Sequence, residues 1–114
     1  MIFRLRRYTV ISEKIELFNA FFKKHLLPVQ KRYGSQLVGR WQTEDKSQII
    51  ALWVYEDMKS YEDIQSKVKV DPDSIAAQKY RFSQLEPLFT ETEESFMTST
   101  VDLSKTELSH LIKK

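Results

Sequence analysis

The stretch from residue 25 to residue 55 constrains the fold more than any other part of the chain. It starts with the end of an amphipathic helix, passes a glycine at position 34, and continues into two short apolar and aromatic runs. These runs are Leu37–Trp41 and Ile49–Tyr55, and the polar turn 44–47 lies between them. Two such runs separated by a polar turn predict a β-hairpin. A helix that leads directly into a hairpin is typical of a mixed α+β domain.

Regular patterns on both sides of the hairpin complete the order β-α-β-β-α-β. Residues 2–10 are rich in β-formers and predict a first strand, and residues 94–101 alternate as a last strand. After the hairpin, Asp71-Pro72 is typical of a helix N-cap followed by proline at the first helical position. This split βαβ order predicts a ferredoxin-like sandwich with the helices on one face of the sheet. The helix before the hairpin has an apolar stripe whose members are three or four residues apart: Ile15, Phe18, Phe22, His25 and Val29.

One domain at residues 1–101 accounts for the whole pattern, and residues 102–114 form a C-terminal tail in which capping-box spacing predicts a short helix. With all helices on one face, the other face of the sheet is bare, and we expect Trp or Tyr side chains there. A monomer should not expose such a face to water. The sequence therefore predicts a homodimer with twofold symmetry, formed through the bare sheet face.

Composition excludes several functional classes. The chain has 114 residues and a net charge of +2, so there is no basic surplus for binding nucleic acid. It has no cysteine, which excludes disulfides, thiolate metal sites and a cysteine nucleophile. We expect neither a metal nor a cofactor. No apolar run approaches the roughly 20 residues of a membrane span, and the strand pattern starts at once, so we expect a cytoplasmic protein without a signal peptide.

His25 is the candidate for chemistry on the helix stripe. If a cleft lies between helices and sheet, its imidazole is placed to act as a base or to contact a ligand. The alternative is a packed, neutral imidazole that is hydrogen-bonded to the backbone or to a tyrosine. No second His or Cys accompanies it to form a metal site or a triad.

Arginines and aromatic residues form a second candidate set. Arg4, Arg6 and Tyr8 share one face of the first strand. If the hairpin turn has an even number of residues, Arg40 pairs with Ala51, and Val38 pairs with Trp53. Such a set suits a planar or acidic small molecule. The alternative is that the arginines pair with glutamates such as Glu94 across the dimer interface. The residues predicted to line the interior between two sheets are Arg4, Arg6, Tyr8, Arg40, Trp53 and Tyr55.

Taken together, several of these residues resemble the NIPSNAP family, which is part of the dimeric α/β-barrel superfamily. The resemblance covers roughly residues 3–100. One departure is Ser74, which stands where the family often has tryptophan. The motifs that support the resemblance are Arg4-x-Arg6-x-Tyr8, Leu27-Pro28, Gly34, Gly39-x-Trp41, Leu52-Trp53-Val54-Tyr55 and Asp71-Pro72-Asp73.

The resemblance implies a dimeric α/β barrel and leaves more than one hypothesis for function. The first is a homodimeric module that binds a small ligand or a protein partner without catalysis. The second is a cofactor-free small monooxygenase or isomerase, with His25, Trp53 and Tyr55 as the residues to test. A haem-binding variant is a third hypothesis, in which His25 is the core-facing histidine.

Overall fold

The computed structural model describes residues 1–101, which form a four-stranded antiparallel sheet covered by helices. The order of the strands across the sheet is β2-β3-β1-β4, so the predicted α+β class and split βαβ order are confirmed. The last strand lies earlier than predicted, and the helix predicted in the tail lies outside the described residues. The strands are β1 (Ile2–Val10), β2 (Gln36–Gln42), β3 (Gln48–Tyr55) and β4 (Phe89–Met97).

The first helical region is continuous but changes its hydrogen-bond pattern around the proline. Pro28 has no N–H to donate within a helix. The backbone accommodates it with a π-helical turn, in which the N–H of Leu27 donates to the carbonyl of Phe22. Gly34 then ends the region with a φ of +104°. The helical segments are a 3-10 turn (Ser12–Lys14), α1 (Ile15–Phe21), a first π turn (Phe22–Leu26), α2 (Leu27–Arg32), α3 (Met58–Val70), α4 (Pro72–Tyr80) and a second π turn (Arg81–Leu85).

The apolar stripe packs against the sheet as predicted. Ile15, Phe18 and Val29 are buried, whereas His25 is only half-buried. The stripe meets Ile49, which is fully buried on β3. No helix within residues 1–101 is long and apolar enough to cross a membrane, and a cytoplasmic location stays a prediction.

The hairpin register is partly as predicted. Arg40 pairs with Ala51, as an even turn requires. The predicted pairing of Val38 with Trp53 is wrong, because Leu37 pairs with Trp53 and Gly39 pairs with Leu52. Val38 is therefore the extra residue of a β-bulge. Between the turn and the bulge the register is the one that an even turn gives, and beyond the bulge it is shifted.

Within residues 1–101, no helix covers the second face of the sheet, which is called the open face below. Strand alternation places apolar side chains of all four strands on it. Trp41 on this face is 55% exposed, and Met97 at its edge is 40% exposed. The sequence predicts Trp or Tyr side chains on this face; Trp41 lies there, whereas the aromatic residues Tyr8 and Trp53 that were predicted to lie between two sheets point toward the helices. The apolar members of the open face are Phe3, Leu5, Trp41, Ile50, Leu52, Val54 and Met97.

Candidate functional site

A cavity of about 290 Å³ lies between the helices and the sheet. Its sheet side is formed by Arg4, Arg6, Tyr8 and Trp53, and residues of all four helices close it from the other side. A larger groove of about 640 Å³ lies along the outer surface of α4, but lysine and serine side chains border it and it does not reach the sheet. The apolar walls of the internal cavity are Phe18, Phe21, Phe22, Leu26, Val29, Val68 and Phe89.

The structure brings most of the predicted ligand residues together, but in a different place. The prediction that they line an interior between two sheets is wrong, because their face of the sheet packs against the helices. The ring of Tyr8 contacts Phe18 of α1 at a centroid distance of 5.2 Å, and Trp53 contacts Phe22 at 6.1 Å. Aromatic side chains on this face are buried by the helix stripe within one chain. The predicted residues that line the cavity are Arg4, Arg6, Tyr8, His25 and Trp53, whereas Arg40 and Tyr55 lie outside it.

Arg4 is the most deeply buried cation of the cavity, with 9% of the residue exposed. Its Nε donates to Oε1 of Glu94 on β4, and its guanidinium lies 5.1 Å from the ring centre of Tyr61. Burial lowers the pKa of Arg4, but the hydrogen bond to Glu94 and the surrounding charges outweigh it, so the pKa is raised. The predicted pairing with Glu94 thus forms within one chain and not across a dimer interface.

Arg6 and Arg81 are the other two cations that line the cavity. Nη1 of Arg6 lies 3.7 Å from Oε1 of Glu94, which is too far for a hydrogen bond. Nη1 of Arg81 lies 3.1 Å from Oε1 of Glu86. Arg81 was not predicted from the sequence. It follows α4 in a π turn, and a repeat of apolar residues gives no information on where a charged side chain points.

Arg40 is packed under α1, outside the cavity. Its Nη1 donates to Oδ1 of Asn19 at 2.6 Å, and its guanidinium carbon lies 4.2 Å from the ring centre of Phe22. Burial lowers the pKa of Arg40 to about 10. Its surroundings within residues 1–101 include no carboxylate partner for the guanidinium.

His25 lines the cavity at the contact between the first helical region and α4. Its ring lies 5.4 Å from the ring centre of Phe21 and 5.3 Å from that of Tyr80. The predicted alternative is a packed imidazole that is hydrogen-bonded to the backbone or to a tyrosine. His25 is half-buried, and its contact with Tyr80 is one of tilted rings, so this alternative stays a prediction.

A polar network that the sequence did not reveal links Tyr55 to the cavity. The hydroxyl of Ser35 donates to Oε1 of Gln30 at 2.6 Å, so Tyr55, 3.2 Å away, donates to Ser35. Gln30 and Gln65 exchange two amide hydrogen bonds of 3.2 and 3.0 Å, and both line the cavity. Glutamine has no spacing signature, so only the tertiary structure identifies this pair.

Groups that could hold a metal ion do not occur in the part of the chain that the structure describes, since no three His, Asp or Glu side chains cluster there. Asp71 and Asp73 do lie together, but they bind Arg32 and cap α4. The interpretation of this motif as a helix start agrees with these contacts.

Comparison with known proteins identifies the fold and the family. The model of the NIPSNAP family matches residues 3–105. This chain belongs to the NIPSNAP family. A NIPSNAP domain protein from Burkholderia xenovorans has a TM-score of 0.79 at 18% identity, with 92% of this chain and 100% of that chain covered. A NIPSNAP family protein from Agrobacterium tumefaciens has a TM-score of 0.75 at 19% identity, with 87% and 92% covered.

The same fold extends beyond the family. SnoaB, a cofactor-independent oxygenase from Streptomyces nogalater, has a TM-score of 0.63 at 17% identity, with 91% of this chain and 97% of that chain covered. Among proteins with curated descriptions, none matches this chain in sequence. Ser74, the residue that departs from the expected family pattern, lines the cavity.

Proposed function

We propose that this NIPSNAP protein is a homodimeric binding module that holds a small ligand in the cavity between helices and sheet. The cavity supports the binding role, because protein interiors are otherwise close-packed and a void of about 290 Å³ is near the lower end of ligand pockets. Aromatic walls and a few convergent polar groups are also the usual lining of such pockets. Arg6 and Arg81 supply the polar groups.

The open face supports the proposal of a dimer. Its apolar side chains come from β1, β3 and β2 and lie side by side in register, for example Leu5 beside Leu52. Soluble monomers rarely leave such a contiguous surface in water. A second copy of the chain covers it with the same apolar rows, and two sheets that pack in this way form the dimeric barrel.

The packing of His25 supports binding over catalysis. A general base acts when a third group orients it and when it can reach the substrate proton. The imidazole contacts the rings of Phe21 and Tyr80, and within residues 1–101 it forms no ion pair with a carboxylate that would orient it. Burial raises the pKa of Tyr61 beside the cavity residue Arg4, so this phenol stays protonated near neutral pH and is not available as a base.

Native mass spectrometry of gently purified protein tests the proposal in one spectrum. We expect twice the chain mass of 13.6 kDa, together with a co-purifying small molecule that is lost on denaturation. Covering the open face predicts the doubled mass, and filling the cavity predicts the added mass. A monomer at micromolar concentration would contradict the dimer, and a cavity that takes up no small molecule from cell extract would contradict the binding role.

The alternative function is a cofactor-free oxygenase or isomerase, because His25 and Trp53 line one cavity and the fold is shared with SnoaB. The test is conversion of the captured ligand by the wild type and by His25→Ala, with Lys24→Ala as the exposed neighbouring control. We expect no conversion by any of the three proteins and unchanged ligand capture in the Lys24 variant. Conversion that His25→Ala abolishes in a folded dimer would establish the enzyme and overturn the binding-only proposal.

A further inference from the structure

We propose that the ligand is an aromatic carboxylate of one or two rings and that Arg6 binds its carboxylate. The inference is based on the proposed binding role of the cavity and adds the chemical class of the ligand. It depends on three properties of the cavity: the balance of charge, the aromatic walls, and the internal pairing of its amides.

The charges around the cavity leave one cation without a carboxylate of its own. Arg4 and Arg6 both face Glu94, and Arg4 takes the hydrogen bond. Arg81 pairs with Glu86. The side chain of Arg6 is only 25% exposed, and its Nε is buried without a partner in the described part of the chain. Such a guanidinium is stabilised by an anion that accepts two parallel hydrogen bonds, which a carboxylate does.

Aromatic rings surround the position of Arg6. Its guanidinium carbon lies 5.2 Å from the ring centre of Tyr8, which contacts Phe18 and Phe89 at centroid distances of 5.2 Å each. Trp53 and Phe22 extend the aromatic wall. Rings at these distances favour a further planar ring in an offset or edge-on contact. The part of the ligand next to its carboxylate is therefore flat and apolar.

The amides of the cavity argue against a sugar or another polyol. Gln30 and Gln65 bind each other, and the hydroxyl of Ser35 donates a second hydrogen bond to Oε1 of Gln30. A polyol needs many free donors and acceptors, and it leaves polar atoms unpaired where they are missing. A single charged end and an apolar body match a cavity in which the paired amides of Gln30 and Gln65 are satisfied by each other.

The two tryptophans make a direct test available. Trp53 lines the cavity and Trp41 lies on the open face, so their indole N–H signals in ¹H–¹⁵N spectra report the two surfaces separately. The probes are 1-naphthoate and its neutral isostere naphthalene-1-carboxamide. We expect 1-naphthoate to shift the Trp53 signal and not the Trp41 signal, with a Kd at least about tenfold lower than that of the amide.

Two variants complete the test. Arg6→Gln should remove the tenfold preference for 1-naphthoate, whereas Lys31→Gln should keep it. Lys31 is the control, because it carries the same charge on the exposed surface of α2 and does not line the cavity. Equal affinities for acid and amide at Trp53 would overturn the carboxylate inference and leave ligand binding intact. If neither probe shifts the Trp53 indole signal at millimolar concentration, both the carboxylate inference and the binding role are overturned.

Discussion

Leu52→Arg is expected to convert the proposed dimer into a folded monomer. Leu52 lies in the middle of the open face, between Leu5 and Gly39 in the sheet register. In a single chain, an arginine at this position reaches water with its charged end. In a dimer that covers this face, the arginine would be buried among apolar side chains of the second copy, without the hydrogen-bond partners that a buried charge requires. Sedimentation at micromolar concentration should therefore change from twice the chain mass to 13.6 kDa.

Leu17→Arg provides the control for this experiment. Leu17 lies on α1, is 42% exposed, and is remote from the open face, so the same substitution should leave the dimer intact. Trp41→Arg is a second variant on the open face at a position that is already 55% exposed, which limits any effect on folding. Dimers that persist in both open-face variants would show that the interface lies elsewhere.

The sequence was sufficient to predict the order of the elements and the helix stripe. Periodicity identified Phe18 and Val29 as core residues, and turn parity paired Arg40 with Ala51. These features depend on the regular period of a helix or a strand, which is visible in the spacing of neighbouring residues. The bulge at Val38 is different, because it depends on how β2 packs against β3 and has no local signal.

The candidate site was predicted only in part, for a related reason. Alternation put Arg4, Arg6 and Tyr8 on one face of β1, but it did not determine which layer covers that face. The structure shows that helices cover it, so Arg4 meets Tyr61 of α3 and Glu94 of its own sheet. Arg81 approaches the same cavity from the end of α4. These residues are far apart in sequence and come into contact only through tertiary packing. No local sequence pattern predicts such contacts.

Asp71→Ala is expected to destabilise the fold more than the loss of an ordinary helix cap. Asp71 is 5% exposed and accepts hydrogen bonds from the Tyr33 hydroxyl at 2.6 Å and from Nη1 of Arg32 at 2.7 Å. It also caps α4 by accepting from the N–H of Asp73. One carboxylate thus joins the end of α2 to the start of α4. Thermal unfolding should show a fall in Tm of about 10 °C or more, because the cap of α4 and two hydrogen bonds between α2 and α4 are lost at once.

Asp57→Ala is the matched control, since Asp57 also caps a helix by accepting from the N–H of Ser60 but has no second helix to join. Its Tm should fall by about 5 °C or less. Equal losses in the two variants would show that Asp71 contributes a cap and nothing more.

The same carboxylate should make stability depend on pH in the acid range. The hydrogen bond from Tyr33 lowers the pKa of Asp71, with Arg32 acting in the same direction and burial opposing them. A carboxyl whose pKa is lower in the folded state stabilises the fold above its ordinary value of 3.8, and this contribution disappears as the pH falls through the folded pKa. Asp71→Asn retains a capping side chain but not the charge. The difference in Tm between wild type and Asp71→Asn should therefore be largest above about pH 5 and should shrink toward about pH 3. A difference that stays constant over this range would show that the charge of Asp71 does not contribute, and that its hydrogen bonds alone connect the two helices.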